Sequence, residues 1–218
     1  MALSKRKHSG GNTLLTRPIS PAVKESFRDL KTKLSLCLTG EGARTLAITS
    51  TSKQDGQSFV AINLARTFAA DEARVALVNA DFSSDALTSV FETESAQSTK
   101  LSLARKDGNK QYIVSVIKNL ECGIDFIPLN QADQDGEPMD DNAITSLIQS
   151  LKESYDFIII NAPLALSVAG MNTLASVCDG FALVCKKYLS RIPNLQTAIH
   201  ILRIVNANVL GVIVNDNK

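Results

Sequence analysis

Thr49-Ser50-Thr51-Ser52-Lys53-Gln54-Asp55-Gly56-Gln57-Ser58 joins two contrasting segments of the chain. Before it runs the apolar, β-branched stretch Thr45 to Ser50; after it, from Ser58 to Ala70, apolar residues recur at helical spacing. Strand, polar turn with a glycine, then Ser and helix is the layout of a phosphate-binding loop, whose backbone N–H groups and helix dipole attract an anion. The letters meet the pattern GxxxxGK[ST] only in part. Thr51 stands at the first glycine position, Gly56 at the second, Gln57 replaces the lysine and Ser58 keeps the hydroxyl.

The same alternation continues outward from the loop. Thr45 to Ser50, Arg74 to Asn79, Ile124 to Pro128, Asp156 to Asn161, Phe181 to Cys185 and Val209 to Asn215 read as strands buried on both faces. Ser58 to Ala70, Asn142 to Ser154 and Asn194 to Asn206 read as crossover helices. This order predicts an α/β fold with a mostly parallel central sheet and helices on both faces. Phe82 to Asn119 is the least periodic region and is expected to be a mobile insertion beside the site. A further helix is opened by Ser20 as N-cap and Pro21 at its first position, with Val23, Phe27, Leu30, Leu34 and Leu38 as its apolar stripe. Glu25, Arg28 and Lys31 recur at intervals of three on another face, where they can pair within the helix or with a neighbouring subunit.

At 218 residues and 44% hydrophobic content the chain is expected to form one domain, 18–218, behind a basic arm, 1–17. Lys plus Arg number 23 and Asp plus Glu 22, so charge gives no ground for a nucleic acid partner. The arm holds Lys5, Arg6, Lys7 and Arg17 without an acid, a composition suited to solubilising or to weak contact with anionic lipid. It has no apolar core of the signal-peptide kind, and no apolar run approaches the roughly 20 residues that cross a bilayer, so no transmembrane segment is expected. Cys37, Cys122, Cys178 and Cys185 lack metal-ligand spacing and are expected to be core thiols in a reducing cytoplasm. His8 and His200 offer no catalytic pair.

Arg17-Pro18-Ile19-Ser20-Pro21 with Glu25, Phe27, Arg28, Leu30 and Lys31, then Ile48-Thr49-Ser50, Asn63-Leu64-Ala65, Asn79-Ala80-Asp81, Tyr155-Asp156-Phe157-Ile158-Ile159-Ile160, Asp179-Gly180 and Val209-Leu210-Gly211-Val212 occur in that order. Together they resemble the bacterial tyrosine kinases of capsule and exopolysaccharide export. These form a branch of the P-loop ATPases shared with the division-site and plasmid-partition ATPases of the MinD/ParA kind. The resemblance spans residues 17 to 215. It implies a cytoplasmic domain that binds ATP or ADP with Mg and assembles into a homo-oligomer through an E-x-x-R-x-x-[RK] helix. It also implies tyrosine phosphorylation and a membrane polysaccharide co-polymerase as partner.

Carried across position by position, the assembly motif falls on Glu25, Arg28 and Lys31. Lys53, Asp55, Gly56, Gln57 and Ser58 form the phosphate loop, and Asn215 is a candidate contact to the base. Ser58 and Asp81 are what remains of the metal set and Asp81 of the catalytic set, because Asn79 and Asn161 stand where the family has aspartates. The loop lysine is Gln57, the glycine three positions before it is Gln54, an expected arginine is absent at Ser83 and Ser84, and a later aspartate is Gly170. Phosphoryl transfer depends on positioning and on cations that neutralise phosphate charge, so these neutral replacements point to a pseudokinase that scaffolds or regulates, beside the co-polymerase or an active paralogue. A weakly active tyrosine kinase with Lys53 supplying the cation, and a MinD/ParA-like positioning protein, are the alternatives. Tyr112, Tyr155 and Tyr188 are the tyrosines, and no tyrosine-rich substrate stretch is expected.

Overall fold

The computed structural model describes residues 19–38, 42, 44–81, 83, 87–89, 91, 97–104, 111–119, 123–129, 139–167 and 171–216. The basic arm 1–17, Ser84, Cys122 and Gly170 lie outside them. Helices are α1 (Pro21–Cys37), α2 (Gln57–Ala69), α3 (Asp141–Ser154), α4 (Met171–Val177) and α5 (Ile192–Ile204). Strands are β1 (Arg44–Ser50), β2 (Val75–Asn79), β3 (Gln97–Ala104), β4 (Gln111–Asn119), β5 (Ile124–Pro128), β6 (Phe157–Asn161), β7 (Gly180–Lys186) and β8 (Val209–Asn215).

The strands form one sheet in the order β3-β4-β5-β2-β6-β1-β7-β8. β5, β2, β6, β1, β7 and β8 run parallel, while β4 is antiparallel to both β3 and β5. Alternating side chains explain why the inner strands read as continuous apolar runs. Leu46 and Ile48 of β1 and Ile159 of β6 pack with Phe27 and Leu34 of α1 and Leu64 and Phe68 of α2. Ala47, Ile158 and Ile160 face the other way, onto Ile144, Leu147, Ile148 and Leu151 of α3. Both faces of the sheet are therefore covered, as a parallel sheet requires.

α1 starts where its caps dictate, with Ser20 Oγ accepting from Val23 N at 3.4 Å and Pro21 in the first turn. α3 is capped by Asp140, whose Oδ1 accepts from Ala143 N at 2.8 Å.

Three expectations are corrected. Phe82 to Asn119 is not only an irregular insertion, since β3 and β4 within it extend the sheet as an antiparallel pair and Phe91 stacks on Phe126 with ring centroids 4.2 Å apart. Antiparallel edge strands alternate polar with apolar residues, so they lack the unbroken apolar run that marks the central strands. β8 is not buried on both faces; it is the outer strand beside β7, and Val212 and Val214 are exposed. Cys37 is exposed at the end of α1, whereas Cys185 is buried in β7.

Candidate functional site

β1 enters the loop at the carboxyl end of the parallel strands, flanked by β6 and β7, where strand order reverses. Open α/β sheets place ligands at such points. After Ser50 the chain makes a single 3₁₀ turn, Lys53–Asp55, then α2 begins. Ser52 caps the turn in a capping box with Asp55. Gly56 follows in the left-handed region at φ 84°, and a Cβ there would lie 2.2 Å from Asn215 Nδ2. Only glycine meets both conditions.

The Asp55 side chain is fully buried and organises this loop from within. Its Oδ2 accepts from Thr51 N at 3.1 Å, Thr51 Oγ1 at 3.0 Å and Ser52 N at 2.9 Å. Its Oδ1 accepts from Ser190 Oγ at 2.5 Å and Lys186 N at 3.4 Å, tying the loop to the turn after β7. Asn215 also serves the loop backbone, with Nδ2 donating to Asp55 O at 3.0 Å. Asn215, the candidate base contact, thus also braces the loop backbone from the end of β8.

Gln57, Asn161 and Asn79 are brought together in a buried chain of neutral groups. Gln57 Oε1 accepts from Ser50 Oγ at 2.9 Å. Gln57 Nε2 donates to Asn161 Oδ1 at 2.9 Å and to Ala162 O at 2.5 Å. Asn161 Nδ2 donates in turn to Asn79 Oδ1 at 2.9 Å. The side chain that replaces the loop lysine is bonded inward, to the two amides that replace the aspartates.

Lys53 is exposed and points away from this chain, donating to Ser83 O at 2.9 Å. Asp81 Oδ1 accepts from Ser83 N at 3.0 Å and Ser83 Oγ at 2.5 Å, so Asp81 closes a local turn on which Lys53 rests. Ser58 sits in the first turn of α2, half-buried. Among the described residues no group of three or more His, Cys, Asp or Glu side chains is placed to hold a metal ion.

These donors suit an anion better than a divalent cation. No side chain caps α2 at Gly56, and uncapped N–H groups at the start of a helix are suited to an anion. Magnesium prefers hard anionic oxygens, and two of its expected ligand positions are amides bonded to one another.

The assembly residues separate. Glu25 and Arg28 are exposed and paired at 3.0 Å within α1. Lys31 is mostly covered and docks on α2: it pairs with Asp71, donates to Thr67 O at 3.4 Å, and lies 5.4 Å from the Phe68 ring centroid. The three do not share one exposed face, because α1 packs on α2 along the side that carries Lys31. Sequence reasoning quoted Ser50 within the loop but gave it no bonding role, and it missed Ser190, which belongs to no local pattern and reaches the loop only through the tertiary fold.

A phosphate loop at the switch point of a doubly wound parallel sheet defines a P-loop ATPase-type domain, a fold that binds nucleotide, with magnesium as the usual companion. The AAA domain family model matches residues 43–188, and the chain belongs to that family. EpsB of Ralstonia solanacearum, a candidate tyrosine-protein kinase, is 28% identical over 216 residues, covering 98% of this chain and 28% of that protein. The succinoglycan biosynthesis transport protein ExoP of Rhizobium meliloti is 24% identical over 197 residues, covering 88% of this chain and 24% of that protein. The chain therefore spans about a quarter of the length of these relatives. Among solved structures, the kinase domain of the Escherichia coli tyrosine kinase Etk superposes with a TM-score of 0.70 at 19% identity, over 98% of this chain and 84% of that one, and shares the fold.

Proposed function

We propose that this protein is a kinase-fold subunit of capsular or exopolysaccharide synthesis that does not itself transfer phosphoryl groups. It serves as scaffold or regulator of a membrane polysaccharide co-polymerase. The observation that carries this is the inward bonding of Gln57 to Ser50, Asn161 and Ala162. A phosphoryl-transfer site needs a cation at the phosphates and carboxylates for magnesium; here those places hold three amides that satisfy each other. Removing one well-placed electrostatic group costs about 3–4 kcal/mol of transition-state stabilisation, and losses within one machine leave little activity.

The polysaccharide context is supported by the similarity to ExoP, a succinoglycan biosynthesis transport protein. No helix among the described residues is long and apolar enough to cross a membrane.

Calorimetric titration with ATP and ADP, with and without magnesium, paired with a phosphate-release assay, tests this. The expected result is no magnesium-dependent binding and no release above buffer. Magnesium-dependent turnover that Ser58→Ala or Asp81→Ala abolishes would overturn it.

A further inference from the structure

Gly180 to Asn215 contains no Asp or Glu and carries Lys186, Lys187, Arg191, His200 and Arg203. In a chain whose acids and bases nearly balance, this segment is locally cationic over β7, α5 and β8. The turn joining β7 to α5 also concentrates exposed apolar side chains: Tyr188 is 94% exposed, Leu189 53% and Ile192 69%. Large apolar groups usually scatter singly over a surface, so three within five residues mark a contact site.

The turn is built to hold them out. Leu189 N and Ser190 N both donate to Lys186 O, at 3.1 and 3.0 Å. Tyr188 takes the left-handed backbone conformation at φ 62°, uncommon for a residue with a Cβ. Ser190 Oγ accepts from Lys186 N at 2.7 Å and donates to buried Asp55, which fixes the turn to the phosphate loop. Lys187 Nζ lies 5.1 Å from the Tyr188 ring centroid and pairs with Asp216 at 2.6 Å; Arg191 is exposed.

We propose that this turn and the first turn of α5 contact an anionic bilayer surface. Tyr188, Leu189 and Ile192 enter the headgroup boundary, and Lys186, Lys187 and Arg191 meet lipid phosphates. Tyrosine carries an apolar ring with a polar tip, and Lys and Arg can lay their stems along apolar surface while the charge stays wet, which suits the interface. Juxtaposed cations favour anionic lipid within a Debye length. A protein partner is the weaker fit, because the apolar groups project from a turn beside cations and line no groove. The surface lies at the loop end of the sheet, so bound protein would present its phosphate loop to the membrane side.

The test is co-sedimentation of the full chain with vesicles of equimolar phosphatidylglycerol and phosphatidylcholine, against vesicles of phosphatidylcholine alone. Binding is expected to the anionic vesicles only and to weaken with salt. Tyr188→Ser/Leu189→Ser/Ile192→Ser should abolish it, and Lys187→Glu/Arg191→Glu should weaken it roughly tenfold or more. All five positions are exposed, so the fold should survive, as circular dichroism would verify. Replacing Lys5, Arg6 and Lys7 by Ala in the full chain should leave most of the binding. Binding that persists in the triple serine variant, binding that depends on the three arm residues instead, or no binding at all would overturn the proposal. So would a concentration-dependent dimer, seen by sedimentation velocity without lipid, that the triple serine variant dissolves.

Discussion

Gln57 Nε2 stands 2.9 Å from Asn161 Oδ1, joining the first turn of α2 to the end of β6 through two buried amides. In a working P-loop the corresponding pair would be charged, and losing one member alone would strand the other. Here both are neutral, so the contact keeps its hydrogen bond without an uncompensated buried charge. Gln57→Lys alone is therefore expected to destabilise the fold by roughly 2–4 kcal/mol. Adding Asn161→Asp should recover most of that loss, since the carboxylate gives the ammonium a partner. Thermal unfolding of the single and double variants checks this; a fully stable Gln57→Lys protein would show that the site already accommodates a cation.

Asp55 is the second buried element, and its work is structural. Asp55→Ala removes the acceptor for Thr51 N, Ser52 N and Ser190 Oγ together, leaving buried donors unpaired. A loss of about 3–5 kcal/mol is expected, as for other broken buried charge networks. Asp55→Asn retains one acceptor oxygen and should cost less. Urea unfolding midpoints, with hydrogen exchange at Thr51 and Ser52 as a local readout, distinguish a loosened loop from a global effect.

The face of α1 makes a contrasting pair of predictions. Lys31 is covered by α2 and touches Asp71, Thr67 and the Phe68 ring, so Lys31→Ala should cost about 1 kcal/mol through lost packing as much as lost charge. Glu25→Ala and Arg28→Ala remove an exposed pair and should stay within about 0.5 kcal/mol of the parent. If α1 mediates assembly, the Glu25 and Arg28 variants should change the sedimentation coefficient at unchanged stability. No change in either quantity would remove these two residues from an assembly role.

The strand-loop-helix core was legible because burial on both faces of a parallel sheet writes itself as unbroken apolar runs. Ile124 to Pro128 and Val209 to Asn215 match their observed strands residue for residue. What Val209 to Asn215 could not reveal was its place at the sheet edge, since strand order is decided by crossovers far away in sequence. β3 and β4 were hidden for a related reason: Lys100, Ser102 and Ser115 interrupt the apolar run that marks a central strand. In the site, residue identities at 57, 79, 81 and 161 could be read directly, but not their bonding. That Gln57 turns to Asn161, that Lys53 rests on Ser83 and that Asp55 reaches Ser190 depend on distances set only by the folded sheet.

Tyr155 offers a pH test of packing away from the site. It ends α3, and its phenol donates to Asp125 Oδ2 of β5 at 2.7 Å. Burial first, then the hydrogen bond and the negative charge of Asp125, push the phenol well above its ordinary value. A raised value means that the folded state holds a proton which the unfolded state releases near pH 10. The stability from this contact is therefore fully present below about pH 10 and declines as pH rises further, by up to about 1.4 kcal/mol per pH unit. Tyr155→Phe should lose roughly 1.5–3 kcal/mol at pH 7, the value of a hydrogen bond to a charged acceptor. Above pH 10 the variant should lose stability less steeply than the parent, so the gap between them narrows. The Cys178 thiol, also pushed up by burial, adds to the alkaline fall in both proteins alike. Urea unfolding from pH 7 to pH 11 measures the gap, and parallel curves across that range would show that Tyr155 keeps no special hold on its proton.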